Sequence, residues 1–244
     1  MRRIRIIAVG AVALAAAVGV AGCGGDSDTV TQTVTTDQLP TTAPTTATAP
    51  TTPTAPTTPT TTSTAPAGDL SDRLPPEDAI SGVLPGTTSD APTAQSLVDE
   101  LYQAGDPTKE DGLSRLEGAG YAGGVLRDQR GENPSNGLAL VRYYVFRLRD
   151  ADAASAEVGT SVDEVKSATT VATADLPVPG IPGARGLTAR ISQGNVTGGV
   201  AFVSFASGSY VYGIQAVSTG TEDLREDDVV SAAQALYARV KDLP

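Results

Sequence analysis

The chain has 244 residues, 28 acidic against 17 basic side chains, a formal charge of −11, one cysteine, and neither histidine nor tryptophan. These counts exclude imidazole-based catalysis, imidazole-ligated zinc and an internal disulfide. An acidic chain also repels phosphate backbones, so no nucleic-acid partner is expected.

Residues 1–22 read as an export leader. Arg2, Arg3 and Arg5 give a positive start, and Ile6 to Cys23 carries no charged residue. The run ends in Val20-Ala21-Gly22-Cys23, with small residues before the cysteine. That order describes a secretory signal. The four residues resemble the lipobox of bacterial lipoproteins. The resemblance implies a diacylglyceryl group on the Cys23 sulfur, fatty acylation of the palmitate type, cleavage after Gly22, and a location on the outer face of the cell membrane. Two acyl chains are what stable anchoring needs. An uncleaved membrane-spanning anchor and simple secretion are the alternatives. Loss of the leader removes three arginines and takes the formal charge to −14.

Residues 23–68 form a stalk. From Thr29 to Ala67 the chain is almost wholly Thr, Pro and Ala, with Thr-Ala-Pro-Thr-Thr-Pro in loose repetition. Such a composition builds no apolar face and loses backbone donors at each Pro, so a disordered, extended tether is expected. About 40 residues would reach ~120 Å at full extension. The composition also suits O-glycosylation. Stalks of this kind resemble those of lipoproteins from high-GC Gram-positive bacteria.

Residues 69–244 are expected to form one domain, with an ordered core over about 93–243. Asp69 to Pro92 reads as a transition zone. Thr93 is a helix cap, followed by Leu97, Val98 and Leu101 on one helical face and a stop at Gly105. A second helix follows Asp106-Pro107 and carries Leu113 and Leu116. Tyr121 to Arg130 reads as a strand, and Asn136-Gly137 as a hairpin signal. Leu138 to Arg149 alternates: Leu140, Tyr144, Phe146 and Leu148 point one way, Val141, Tyr143 and Val145 the other. Asp150 caps a helix over 151–165. Pro177 to Gly183 makes a double turn, Gly186 to Ile191 a strand, and Val200 to Phe205 with Tyr210 to Val217 a second hairpin. Asp223 with Glu226 would start a last helix, its face set by Val230, Ala233, Tyr237 and Val240.

The fold class is therefore α+β, a mostly antiparallel sheet of about five strands with helices packed against it. Gly120-Tyr121, Tyr144-Val145-Phe146-Arg147 with Asp150, Pro179-Gly180-Ile181-Pro182-Gly183 and the Ala-rich final helix together resemble small extracytoplasmic domains of actinobacterial lipoproteins. A fainter likeness is to PsbP-like sandwiches. Neither resemblance implies a catalytic residue.

Tyr144, Tyr210, Tyr212 and Arg142 are candidates to line a ligand groove, with Tyr143 beside them. Set against that, tyrosines on half-buried strands commonly pack in a core, and Arg142, Arg147 and Arg149 have an acidic surplus to pair with. Asp223, Glu226, Asp227 and Asp228 cluster as calcium ligands do, but a helix start also favours carboxylates and their spacing is not that of an EF-hand. The Pro-Gly turn at 179–183 is either a binding loop or a rigid connector. The sequence has no G-x-S-x-G, S-x-x-K or G-x-x-x-x-G-K motif. The expected function is a non-catalytic binding or accessory module of the envelope, without cofactor or metal, acting on a protein, polymer or small ligand. The alternative is a carrier of lipid or another hydrophobic ligand. An enzyme working through carboxylates or tyrosine ranks last. Metabolic labelling with a fatty acid is expected to mark the wild-type protein and to vanish in Cys23→Ala.

Overall fold

The computed structural model describes residues 69–102, 104–134, 137–168, 172–193, 196–220 and 224–243. The leader, Cys23 and the stalk lie outside the described residues, as do Asn136 of the hairpin signal and Asp223. A 3₁₀ turn at Leu70–Arg73 comes first. Then follow β1 (Thr87–Ala91), α1 (Ala94–Leu101), α2 (Lys109–Gly118), β2 (Gly124–Arg130), β3 (Gly137–Arg147) and α3 (Ala151–Ala168). The remainder is β4 (Thr173–Asp175), β5 (Arg185–Gln193), β6 (Val196–Ser207), β7 (Tyr210–Thr219) and α4 (Glu226–Val240).

The seven strands make one sheet in the order β1-β2-β3-β7-β6-β5-β4. Every neighbouring pair is antiparallel. The architecture is α+β as expected, but with seven strands rather than about five. The two extra strands are its edges. β1 reads Thr-Thr-Ser-Asp-Ala and β4 Thr-Ala-Asp. An edge strand meets the core with few side chains, so neither carries the apolar alternation by which strands are recognised. Ordered structure thus begins before Thr93, inside the segment read as a transition zone.

The centre of the sheet is apolar on both faces, so both need a cover. On face one, Tyr144, Phe146, Phe202, Val211 and Leu187 pack with Leu97, Leu101 and Leu116 of α1 and α2 and with Ala154, Val158 and Val162 of α3. On face two, Val141, Tyr143, Val145, Val203, Phe205, Tyr212 and Ile214 pack under α4. Leu70, Leu74 and Ile80 complete that second cluster. Burying a side chain such as Phe205 or Ile214 contributes about 2 kcal/mol. Among the described residues no helix is long and apolar enough to cross a membrane.

Local signals explain most helix starts. The Thr93 hydroxyl accepts from Ser96 N at 3.1 Å while Thr93 N donates to Ser96 Oγ at 3.0 Å, a reciprocal cap. Asp150 Oδ1 accepts from Ala153 N at 2.8 Å and so starts α3. That bond holds the Asp150 carboxyl below its ordinary range. α4 departs from expectation. Its N-cap is Arg225, in the left-handed region at φ 56°, with no side-chain cap bond. The inward face is Val229, Ala232, Ala233, Leu236 and Val240, with Val230 and Tyr237 only partly buried, so the helix is rotated relative to the spacing read from sequence.

Gly213 of β7 stands opposite Tyr144 of β3 in the register. The Tyr144 ring lies against it, and a Cβ there would overlap the ring carbons. Gly213→Ala is expected to destabilise the domain by about 2 kcal/mol, read as a lower urea midpoint at unchanged slope.

Candidate functional site

Among the described residues, two polar clusters and a groove stand out from the apolar packing. The first cluster ties α1 and α2 to α3. Arg115 Nε donates to Glu157 Oε2 at 3.0 Å, and its Nη1 to Glu164 Oε2 at 2.6 Å. The Tyr102 hydroxyl donates to Glu164 Oε1 at 2.8 Å. Ser161 Oγ donates to Glu157 Oε1 at 2.9 Å. Glu157 is 5% exposed, and burial pushes its carboxyl up while Arg115 opposes the shift. Burial alone would weaken the charge on Arg115, but Glu157 and Glu164 outweigh it and hold the guanidinium protonated. Every carboxylate of the cluster is engaged, which suits a structural pin.

The second cluster lies on face two beneath the segment 69–86. Arg127 Nη2 donates to the Pro75 carbonyl, and Gln129 Nε2 to the Glu77 carbonyl at 2.8 Å. Arg239 of α4 donates to the Leu74 carbonyl. Arg73 lies 3.9 Å from the centre of the Tyr210 ring and donates to the Tyr212 hydroxyl at 3.3 Å. The segment is thus a strap laid across the sheet and fastened through its carbonyl oxygens.

The structure divides the tyrosine and arginine candidates between the two faces. Tyr144 and Arg142 belong to face one; Tyr143, Tyr210 and Tyr212 belong to face two. They do not share one groove. Tyr144 is 2% exposed, and burial raises its phenol above the ordinary range. Arg142 grips Asp128 with two bonds of 2.7 and 2.6 Å and reaches the Glu100 carbonyl at 3.0 Å. Arg149 pairs with Asp150 at 3.2 Å. Glu226 pairs with Arg190 at 3.6 Å and Asp228 with Arg225. Among the described residues no group of three or more acidic or cysteine side chains is placed to hold a metal.

The groove, of about 190 Å³, lies where Ala151, Ser155 and Val158 of α3 face Pro182 and Gly183 of the double turn and Ala206 and Gly208 of the β6–β7 hairpin. Gln234 Nε2 fixes that turn to α4 through the Pro179 carbonyl at 2.7 Å.

Sequence reasoning passed over both polar clusters. Glu157 and Glu164 are seven residues apart, hence on one face of α3. Arg127 and Gln129 share strand parity with Val125. Both signals were present, but a charge on an apolar face looks like a solvated edge until its cover is known.

No protein-family model matches the chain, and no curated protein does. Among solved structures, the extracellular domain of PknH from Mycobacterium tuberculosis is similar at 15% identity and a TM-score of 0.44, over 69% of this chain and 94% of that one.

Arg115→Met strands the Glu157 charge in the core and is expected to cost about 3 kcal/mol near neutral pH. Glu157 holds its proton more tightly folded than unfolded, and more so without Arg115. The cost should therefore shrink as pH falls through its raised folded value and grow as pH rises. Urea midpoints of wild type and variant across pH 4 to 8 check this.

Proposed function

We propose that the protein is a non-catalytic binding or accessory module of the cell envelope, held on the outer face of the membrane by lipid on Cys23 and displayed on its Thr/Pro stalk. The observation that supports this reading best is the state of the buried acid. Glu157 is the one carboxylate-bearing residue in the buried class among the described residues. Arg115 and Ser161 occupy it. A general acid or base needs an open approach to the proton it moves. A closed pin offers none. The anchor and the stalk then supply reach, which suits contact with a partner at a distance from the bilayer.

The carrier reading finds less support. An apolar ligand site needs several hundred Å³ lined by apolar side chains. Both sheet faces are filled by their own covers, and the groove of about 190 Å³ is lined largely by small residues.

Intact protein carrying a C-terminal tag, cross-linked in the envelope of its host, is expected to retain a defined envelope protein or polymer after stringent washing. Retention of nothing above a tag-only control would overturn the binding reading. Mass spectrometry showing stoichiometric co-purified lipid beyond the Cys23 modification would replace it with the carrier.

A further inference from the structure

β2 directs Val125, Arg127 and Gln129 to face two, and Arg127 stands opposite Tyr143 in the register. Arg127 is 8% exposed, Gln129 1% and Tyr143 0%. Three of their polar atoms have no hydrogen-bond partner: Arg127 Nε, Gln129 Oε1 and the Tyr143 hydroxyl. They belong to one neighbourhood, since the Arg127 guanidinium sits 5.3 Å from the centre of the Tyr143 ring. In a chain with a surplus of acids, none of the ion pairs among the described residues includes Arg127 or Arg239. Glu77 attracts the Arg127 charge only through space, and Arg239 repels it. A buried guanidinium without a contacting counter-charge, beside a buried hydroxyl without a partner, is a costly arrangement.

We propose that Arg127, Tyr143 and Gln129 form a binding site for a small oxyanion that also bears a hydroxyl, with the strap as its removable cover. The complementarity follows from the orphaned atoms. Arg127 Nε–H and the Tyr143 O–H are donors, which suit an anionic oxygen. Gln129 Oε1 is an acceptor, which suits a ligand hydroxyl. Arg239, on the exposed side of α4, adds positive charge at the rim.

The strap has few main-chain ties to the sheet, and Leu70, Leu74 and Ile80 seat it in the second cluster. Between the 3₁₀ turn and the single bridge from Val83 to Gly131 it makes no strand pairing. Pro75 and Pro76 have no N–H to give. Its fastenings here are side chains of the site itself, reaching the carbonyls of Leu74, Pro75 and Glu77. At its far end, a Cβ on Gly86 would come within 2.8 Å of the Gln129 stem and 2.9 Å of the Arg127 stem. The strap and the binding residues are therefore in direct contact at Gly86.

The assignment deepens the binding-module reading and rests on it. The test uses the full chain in detergent, with thermal unfolding followed as inorganic phosphate is added at constant ionic strength. Acetate, an oxyanion without a hydroxyl, is the second arm. A saturable rise in Tm with phosphate is expected, with acetate about tenfold weaker. Amide exchange across residues 77–84 should quicken on binding, since the ligand takes the place of the raised strap. Tyr143→Phe deletes an unpartnered hydroxyl, so it should leave stability without phosphate unchanged or higher while weakening phosphate about tenfold. A response that does not saturate, or one identical in wild type and Tyr143→Phe, overturns the site. So does a Tyr143→Phe protein less stable in the absence of phosphate. Failure here with envelope capture retained removes only the site; failure of both removes the binding module as well.

Discussion

Strands β3 and β7 set the architecture because their side chains are apolar on both faces. Tyr144 and Phe146 alternate with Val141, Tyr143 and Val145 along β3, and all five are buried. Such a strand is stable only at the centre of a sheet with two covers. The rest of the topology meets that demand. The α3 crossover takes the chain over face one, and α4 returns across face two. One helix cannot span seven strands, so the strap closes what α4 leaves open above β2 and β3. The Leu70, Leu74 and Ile80 side chains are its contribution to the second cluster.

Charge is handled differently on the two faces. On face one, Arg115 meets two glutamates and a tyrosine, and each oxygen of the set has a partner. On face two, Arg127 and Arg239 meet backbone carbonyls. A carbonyl satisfies a donor without neutralising it. The first arrangement fixes three helices in place. The second leaves positive charge in reserve under a segment with few main-chain ties.

Where the sequence was legible, one residue pattern governed one element. The alternation of Leu138 to Arg149 gave β3 and its two faces. Thr93 and Asp150 marked the starts of α1 and α3. The illegible parts depend on distant partners. β1 and β4 are strands because β2 and β5 offer them hydrogen bonds, not because Thr-Thr-Ser-Asp-Ala or Thr-Ala-Asp prefers extension. The strap looks like a linker because its apolar residues follow no period. Tyr144 and Tyr212 were readable as strand residues, but only the pairing of β3 with β7 shows that they face opposite ways. Arg142 carried the same ambiguity until Asp128 came beside it across β2 and β3.

The strap also decides how the domain responds to mechanical load. Its carbonyls are fastened crosswise at Leu74, Pro75 and Glu77. A pull arriving through the chain before Asp69 therefore strips these bonds one after another, as a zip opens. The bridge from Val83 to Gly131 and the β1–β2 ladder come next along the chain, and the long ladders between β3, β7 and β6 lie beyond them. Freeing the strap also exposes Leu70, Leu74 and Ile80, so apolar burial shares the load with these bonds.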